Sequence, residues 1–203
     1  RIDAREAETA RVMEQIVARD PWEAAMIRAR TPREAWAVHQ LRMIARRATG
    51  FEMRVLYCDA TPASAELEQE LHASRVEMDT LLGDSDYVVV QVPYLPATHH
   101  LIGASQLGRM KNTAVLIHAG RGGVVDDAAL AAALKTGTIA GAGIDCCENE
   151  PGVHPDLPAC PNVLFTPHIG SATPATRTNM VSLALRNLAV GLQGGIPPNV
   201  VNG

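Results

Sequence analysis

A run of six residues, 87–92 (YVVVQV), constrains the fold of this chain more than any other segment. Its apolar side chains do not alternate with polar ones, and such a run is typical of a strand that is covered on both faces. Shorter apolar runs recur along the chain, separated by segments with helical periodicity. Strands that alternate with helices form a parallel sheet through right-handed crossovers. The predicted fold class is therefore α/β, with a parallel sheet and flanking helices.

The predicted elements follow one another from residue 53 to the end of the chain. Strands are expected at residues 53–57, 87–92, 114–118, 140–145 and 163–166. Helices are expected at residues 63–72, 126–135 and 174–192, the second capped by Asp126 or Asp127 and followed by Gly137. Ligands of parallel sheets bind outside the carboxyl ends of the strands, so the residues that follow each strand are the candidate site residues.

The first fifty residues differ in character, because they are rich in Ala, Arg and Glu and contain no β-branched run. Residues 3–20 have an apolar face with helical spacing and end before Pro21. Residues 31–34 (TPRE) have the form of a capping box at the start of a second helix, which ends at Gly50. We therefore predict three parts: a helical segment over residues 1–50, an α/β domain over 51–173, and a C-terminal helix and tail over 174–203.

Charge and composition argue against several classes of function. The net charge is −4 and the sequence has no basic run that could follow a phosphate backbone, so no nucleic-acid partner is expected. No apolar stretch approaches the roughly 20 residues that cross a bilayer, so no membrane partner is expected. The four cysteines show no metal-binding spacing. They predict reduced thiols, no metal site and a cytoplasmic protein.

Three ionisable residues follow three successive predicted strands: Arg121, Glu150 and His168. Neighbouring parallel strands end at the same edge of a sheet, so we expect these side chains to converge. An arginine can hold a carboxylate through two hydrogen bonds, a histidine can transfer a proton near neutral pH, and a glutamate can fix the histidine tautomer. Together they suit the reduction of a 2-oxo acid. Taken alone, each has an ordinary alternative as a solvated, turn or loop residue.

Three sequence blocks carry a more specific signal: residues 119–126 (AGRGGVVD), 143–151 (GIDCCENEP) and 166–171 (TPHIGS). In this order they resemble the signatures of the D-isomer-specific 2-hydroxyacid dehydrogenases. The resemblance extends from about Gly50 to about Asn199. It implies a Rossmann-like NAD-binding domain over 51–173, and hydride transfer between NAD(H) and a small 2-oxo or 2-hydroxy acid. It also implies a homodimer, because related enzymes are usually dimers.

The resemblance further implies a role for each matching residue. Arg121 corresponds to the substrate-binding arginine, Glu150 to the glutamate of the His–Glu pair, and His168 to the acid/base. Asp145 matches a residue near the nicotinamide amide, and Asp59 matches the acidic residue that binds the adenosine ribose. A carboxylate there would repel a 2′-phosphate, so NAD is favoured over NADP, although Asp59 could simply form a turn. The other implied cofactor contacts are Pro93, Ala119, Gly120, Gly170 and Ser171, with Arg121 and His168 shared between both sets.

The chain departs from the family pattern where the cofactor domain should begin. The family has a strand, a glycine-rich turn and a helix there, and its three glycine positions fall on Trp36, Val38 and Leu41. Trp36 and Val38 place side chains where the diphosphate should lie, and Leu41 replaces the glycine that allows close packing of helix and strand. We therefore expect that helix replaces the first strand and the glycine-rich loop. Three explanations stay open: a poor strand at residues 33–38, a sheet that closes differently, or a disturbed reading frame.

Other departures concern single positions and the missing lobe. Leu95 stands where a Thr is usual, and His118 stands where an Asn is usual. Residues 1–50 are too few and too helical to supply the family's substrate lobe, so the apolar stripe of the last helix needs another cover. A catalytically inactive, truncated relative that acts as a binding or assembly module is the alternative. A third hypothesis is an unrelated parallel α/β protein that mimics the blocks.

Overall fold

The computed structural model describes residues 23–28, 34–59, 62–197 and 199. The chain divides into two compact units, Arg1–Pro167 and His168–Gly203, and each is described by itself. The helix expected at residues 3–20 lies outside the described residues.

The described residues of the first unit form one seven-stranded sheet. Its strands are β1 (Glu23–Arg28), β2 (Arg54–Asp59), β3 (Ala73–Arg75), β4 (Tyr87–Val90), β5 (Val115–His118), β6 (Gly141–Ile144) and β7 (Val163–Phe165). All neighbouring strands are parallel, and their order is β3-β2-β1-β4-β5-β6-β7. This is the order of doubly wound dinucleotide-binding sheets, in which the chain reverses its direction of winding between β1 and β4. The predicted parallel α/β fold is confirmed.

The expectation that helix replaces the first strand is wrong. β1 lies at the centre of the sheet, where Ala25 is in register with Leu56 of β2 on one side and Val88 of β4 on the other. Its sequence, EAAMIR, contains a single β-branched residue and has a low intrinsic strand propensity. It is therefore the pairing with strands on both sides that keeps it extended. A poor strand at residues 33–38 is also wrong, because residues 34–38 belong to the following helix.

Helices connect the strands. They are α1 (Glu34–Thr49), α2 (Ala65–Leu71), α3 (Met78–Asp84), α4 (Ala104–Leu107) and α5 (Asp127–Thr136), with a short 3₁₀ helix at Pro96–Thr98. The predicted caps of α5 are confirmed. The Asp126 side chain accepts the Ala129 N–H at 2.9 Å, and Gly137 ends the helix with a φ of 69°. Glycine suits this left-handed C-terminal position because it has no Cβ to clash.

The larger core cluster of the first unit lies where α3, α4 and α5 pack against the sheet, and a smaller cluster lies where α1 and α2 pack against β2. Every residue of β4 is buried, as the unbroken apolar run predicted. Side chains of the helices that reach zero exposure include Leu81, Leu82, Leu107 and Leu130. Each such side chain contributes about 1.5–3 kcal/mol of hydrophobic stabilisation, which fixes the sheet and therefore the loops at its carboxyl edge.

The second unit contains one long helix, α6 (Pro174–Leu192). Thr173 caps it by accepting the Thr176 N–H at 3.2 Å. The apolar stripe predicted from the sequence, which consists of Val181, Leu185, Leu188 and Leu192, is exposed on this helix. Met180 and Leu183 are exposed on it as well. In the part of the chain that the structure describes, neither α6 nor any other helix has the length and hydropathy to span a membrane.

Candidate active site

Most predicted site residues of the first unit follow the carboxyl ends of its strands. Asp59 is the last residue of β2, and Pro93 lies three residues beyond the end of β4. Residues 119–121 follow β5 directly, and Asp145 follows β6 directly. Because the strands are parallel, these residues share one edge of the sheet, where ligands of this fold bind.

Glycines let the turn at residues 119–123 pack tightly against its neighbours. A Cβ on Gly120 would lie 3.2 Å from the Val92 carbonyl oxygen, and one on Gly122 would lie 1.9 Å from the Cys147 carbonyl oxygen. Gly123 has a φ of 82°, which side chains other than glycine rarely adopt. The turn that carries Arg121 is therefore held between the loops that follow β4 and β6.

Hydrogen bonds fix the backbone on both sides of Arg121. The Gly120 carbonyl accepts from Arg121 Nη1 at 2.7 Å and from Cys146 Sγ at 3.4 Å. The Arg121 carbonyl accepts from His118 Nε2 at 3.0 Å. Arg121 itself is exposed. With Nη1 occupied, Nε and Nη2 still form the side-on pair of donors that binds a carboxylate.

Glu150 lies in the loop that follows β6, beside the Arg121 turn. Its Oε1 accepts the Cys147 N–H at 3.0 Å, which closes the loop over residues 147–150. The charges of Arg121 and Glu150 both affect the pKa of the Cys146 thiol. Burial raises the pKa of Cys146 to about 12, the charges of Glu150 and Asp145 raise it too, and the charge of Arg121 opposes them. The structure therefore brings Arg121 and Glu150 to the surroundings of one buried thiol.

His168, the third predicted catalytic residue, follows strand β7 in the sequence. Thr166, just beyond β7, donates a hydrogen bond from Oγ1 to Asp145 Oδ1, which joins the ends of β6 and β7. His168 comes two residues later and has a φ of 51°. Because His168, Gly170 and Ser171 belong to the second unit, their convergence with Arg121 and Glu150 stays a prediction.

Asp59 lies where a dinucleotide fold places its ribose-binding acid. It is 5% exposed, and its carbonyl accepts from Arg75 Nε at 3.1 Å and Nη2 at 2.9 Å. Arg75 is not among the residues predicted from the sequence, because β3 has only three residues and no apolar run. The strand order and Asp59 fit a dinucleotide, whereas the chain has no glycine before Gly50 to form a diphosphate turn.

A second cluster, also missed from the sequence, consists of Tyr94, His99, His100 and Glu148. His100 Nε2 contacts Glu148 Oε1, and its Nδ1 lies 3.6 Å from Asp126 Oδ2. Ligand atoms of His99, His100 and Glu148 lie within 4.8 Å of one another, but the two imidazole rings are stacked with centroids 3.9 Å apart. Imidazole lone pairs lie in the ring plane, so stacked rings do not point at one ion. We interpret the cluster as an ion pair that ties the loop after β4 to the loop after β6.

We expect the stability of this tie to depend on pH. The hydrogen bond with Glu148 raises the pKa of His100 above 6.5, burial opposes the rise, and the charges of Glu148, Asp126 and Asp127 add to it. A raised histidine pKa stabilises the folded state fully below the unfolded pKa, and this contribution is lost as pH rises through the folded pKa. His100→Asn should therefore lose more unfolding free energy relative to wild type at pH 5.5 than at pH 9, as measured by urea denaturation. An equal loss at both pH values would contradict this interpretation.

The sequence of this chain matches a known protein family. The model of the family "D-isomer specific 2-hydroxyacid dehydrogenase, NAD binding domain" matches residues 42–170. The match begins directly after Leu41, so the three positions aligned with glycines lie outside it. It includes Asp59, Arg121, Glu150 and His168.

Similar proteins and structures cover most of this chain. Glyoxylate reductase of Thermococcus onnurineus is 48% identical over 159 residues, which are 78% of this chain and 47% of that protein. Glyoxylate/hydroxypyruvate reductase B of Pectobacterium carotovorum is 48% identical over 154 residues, 75% of this chain and 48% of that protein. The NAD-complexed D-isomer specific 2-hydroxyacid dehydrogenase of Lactobacillus delbrueckii ssp. bulgaricus superimposes with a TM-score of 0.75 at 30% identity, over 89% of this chain and 56% of that one. The chain thus spans about half the length of the curated relatives it matches.

Proposed function

Because this chain belongs to the D-isomer specific 2-hydroxyacid dehydrogenase family, we propose that it reduces a small 2-oxo acid with a nicotinamide cofactor, or catalyses the reverse oxidation. The observation that carries the proposal is the Arg121 turn, which is locked beside the Glu150 loop at the carboxyl edge of the sheet. The similar glyoxylate and glyoxylate/hydroxypyruvate reductases point to glyoxylate or hydroxypyruvate as the substrate class.

In this proposal Arg121 binds the carboxylate and polarises the neighbouring ketone. The Nε and Nη2 donors fit a carboxylate side-on, since Nη1 already bonds the Gly120 carbonyl at 2.7 Å. His168 gives its proton to the ketone oxygen, and Glu150 stabilises the imidazolium before that transfer. The cofactor, when bound, supplies the hydride that reaches the carbonyl carbon. Hydride and proton together convert the 2-oxo acid to the 2-hydroxy acid.

We propose NAD rather than NADP as that cofactor. Asp59 supports this choice, because a buried carboxylate at the end of β2 accepts ribose hydroxyls and repels a 2′-phosphate. Asp145 would approach the nicotinamide amide, where its bond from Thr166 holds it. Pro93, Ala119, Gly120, Gly170 and Ser171 complete the proposed contacts. We also propose a cytoplasmic homodimer, which the four free thiols and the exposed apolar side chains of α6 support.

Steady-state turnover tests this function. Oxidation of NADH, followed by its absorbance, should depend on glyoxylate, hydroxypyruvate or pyruvate, and NADPH should serve less well. His168→Ala should lower kcat at least about a hundredfold, because general acid catalysis contributes that much or more. His72→Asn, a change on the exposed C-terminal end of α2, is the control and should leave turnover unchanged. Wild-type turnover no faster than that of His168→Ala would refute the proposal.

The second candidate function is a catalytically inactive binding or assembly module. One observation favours it: the 49 residues before Gly50 contain no glycine that could form a diphosphate-binding turn. Calorimetric titration with NADH separates the two. Binding in the micromolar range together with turnover supports the enzyme, whereas a folded chain that neither binds NADH nor reduces an oxo acid supports the module.

A further inference from the structure

His118 is a buried histidine that directly precedes the Arg121 turn, residues 119–123. It is the last residue of β5 and is 1% exposed, so it is one of the few polar side chains in the core of the first unit. Only Ala119 and Gly120 separate it from Arg121. A buried polar group needs a hydrogen bond to offset its loss of hydration, and His118 makes one to the Arg121 carbonyl.

The environment of the ring selects one tautomer. Nε2 lies 3.0 Å from the Arg121 carbonyl oxygen, which can only accept, so Nε2 must carry a proton. Among the described residues Nδ1 makes no hydrogen bond of normal geometry, so the Arg121 carbonyl is the acceptor that decides the tautomer. Burial lowers the pKa of His118, and the Arg121 carbonyl, the Val90 carbonyl and the charge of Glu150 only partly oppose this. The ring is therefore neutral near pH 7 and keeps its Nε2–H donor.

This donor completes a set of bonds around one residue. The carbonyl before Arg121 is fixed by the Arg121 guanidinium and by Cys146 Sγ. The Arg121 carbonyl accepts from His118 Nε2 at 3.0 Å and, less closely, from the Val124 N–H at 3.3 Å, so His118 supplies the shorter of its two bonds. With both adjacent peptide groups held, the direction of the Arg121 side chain is set by the core rather than by solvent. An exposed arginine would otherwise lose rotamer freedom each time it bound a ligand.

We propose that His118, with its proton on Nε2, is the positioning residue that presents the Nε and Nη2 donors of Arg121 to a substrate carboxylate. This inference rests on the proposed function, because it takes Arg121 as the carboxylate anchor. It assigns a role to a residue that stands where the family usually has an Asn, whose amide also offers an N–H donor.

Two substitutions at this position separate hydrogen bonding from packing. His118→Asn keeps a donor, and His118→Leu fills the space without one. In the full chain, the Kd of oxamate measured by calorimetry with NADH present should rise about tenfold in His118→Leu and less than about threefold in His118→Asn. Arg121→Gln should abolish oxamate binding, and the exposed His72→Asn should leave it unchanged. NADH affinity should be the same in both His118 variants as in wild type.

The tautomer provides a second readout, which tests the hydrogen bond to the Arg121 carbonyl directly, while the contrast between oxamate and NADH affinity separates positioning of Arg121 from a general structural role. Long-range ¹H–¹⁵N spectra of wild-type protein should show the His118 proton on Nε2 from pH 6 to pH 8. This measurement needs neither oxamate nor turnover, so it is decided even if the chain reduces no oxo acid, and it remains decisive if His118→Leu does not fold. A proton on Nδ1 alone, or a folded His118→Leu that binds oxamate like wild type, would overturn the proposal.

Discussion

Gly122→Ala should lower the free energy of unfolding by about 3 kcal/mol, as measured by urea denaturation. A Cβ on Gly122 would lie 1.9 Å from the Cys147 carbonyl oxygen and 2.6 Å from its carbon, and no real structure tolerates such contacts. The obstacle is backbone rather than a flexible side chain, so relief requires that the Arg121 turn and the loop after β6 move apart. That movement would also disturb the bond from Cys146 to the Gly120 carbonyl.

Gly143→Ala is the matched control. Gly143 lies within β6, three residues before the Cys146–Cys147 pair, and a Cβ added there meets nothing within 4 Å. Alanine restricts the unfolded chain more than glycine, so this variant should be as stable as wild type or more stable by up to about 1 kcal/mol. Equal unfolding free energies for the two variants would show that the turn does not pack against the loop as described.

The thiols of Cys146 and Cys147 should react with Ellman's reagent far more slowly than ordinary cysteines. Burial raises their pKa values from 9.0 to about 12 and about 11, respectively. Only the thiolate attacks a disulfide, so at pH 8 the reactive fraction falls about a thousandfold for Cys146 and about a hundredfold for Cys147. Their rates should rise steeply as the pH is raised toward 11, while the protein stays folded.

Cys58 supplies the internal comparison for this experiment. It is half-buried, whereas the other three cysteines are buried. Folded protein should therefore show one faster thiol, which Cys58→Ser removes, and all four should react together in denaturant. Rapid modification of two or more thiols in folded Cys58→Ser protein would show that the Cys146–Cys147 loop is open to solvent.

The sequence predicts the elements of this fold best where side-chain pattern and tertiary environment agree. Residues 87–92 have a composition that favours a strand, and β4 is buried throughout. β1 shows the opposite case, because EAAMIR has low strand propensity and only its position between β2 and β4 makes it extended. Pairing with distant strands is not visible in a window of six residues, so the segment between the two predicted N-terminal helices carries no strand signal of its own.

The residues of the site also divide into those that the sequence pattern predicts and those that depend on tertiary contacts. Arg121 and Glu150 could be found because each follows a predicted strand within a recognisable block, and the structure brings both near Cys146. Arg75 and the cluster around His100 could not be found, because their partners are the Asp59 carbonyl and the distant Glu148. Contacts with backbone atoms and across many residues leave no periodic signal. The role of His118 likewise emerged only from its 3.0 Å bond to the Arg121 carbonyl.

The two outermost strands of the sheet have a consequence for how this protein associates with copies of itself. The edge strands β3 and β7 have only three residues each, so each of them exposes very few unpaired backbone N–H and C=O groups. An incoming strand would gain too few hydrogen bonds to add itself to the sheet, and natural sheets use such short borders to prevent fibrous growth. Self-association of the folded first unit through its sheet borders is therefore disfavoured, which directs any stable contact between copies to helix and loop surfaces.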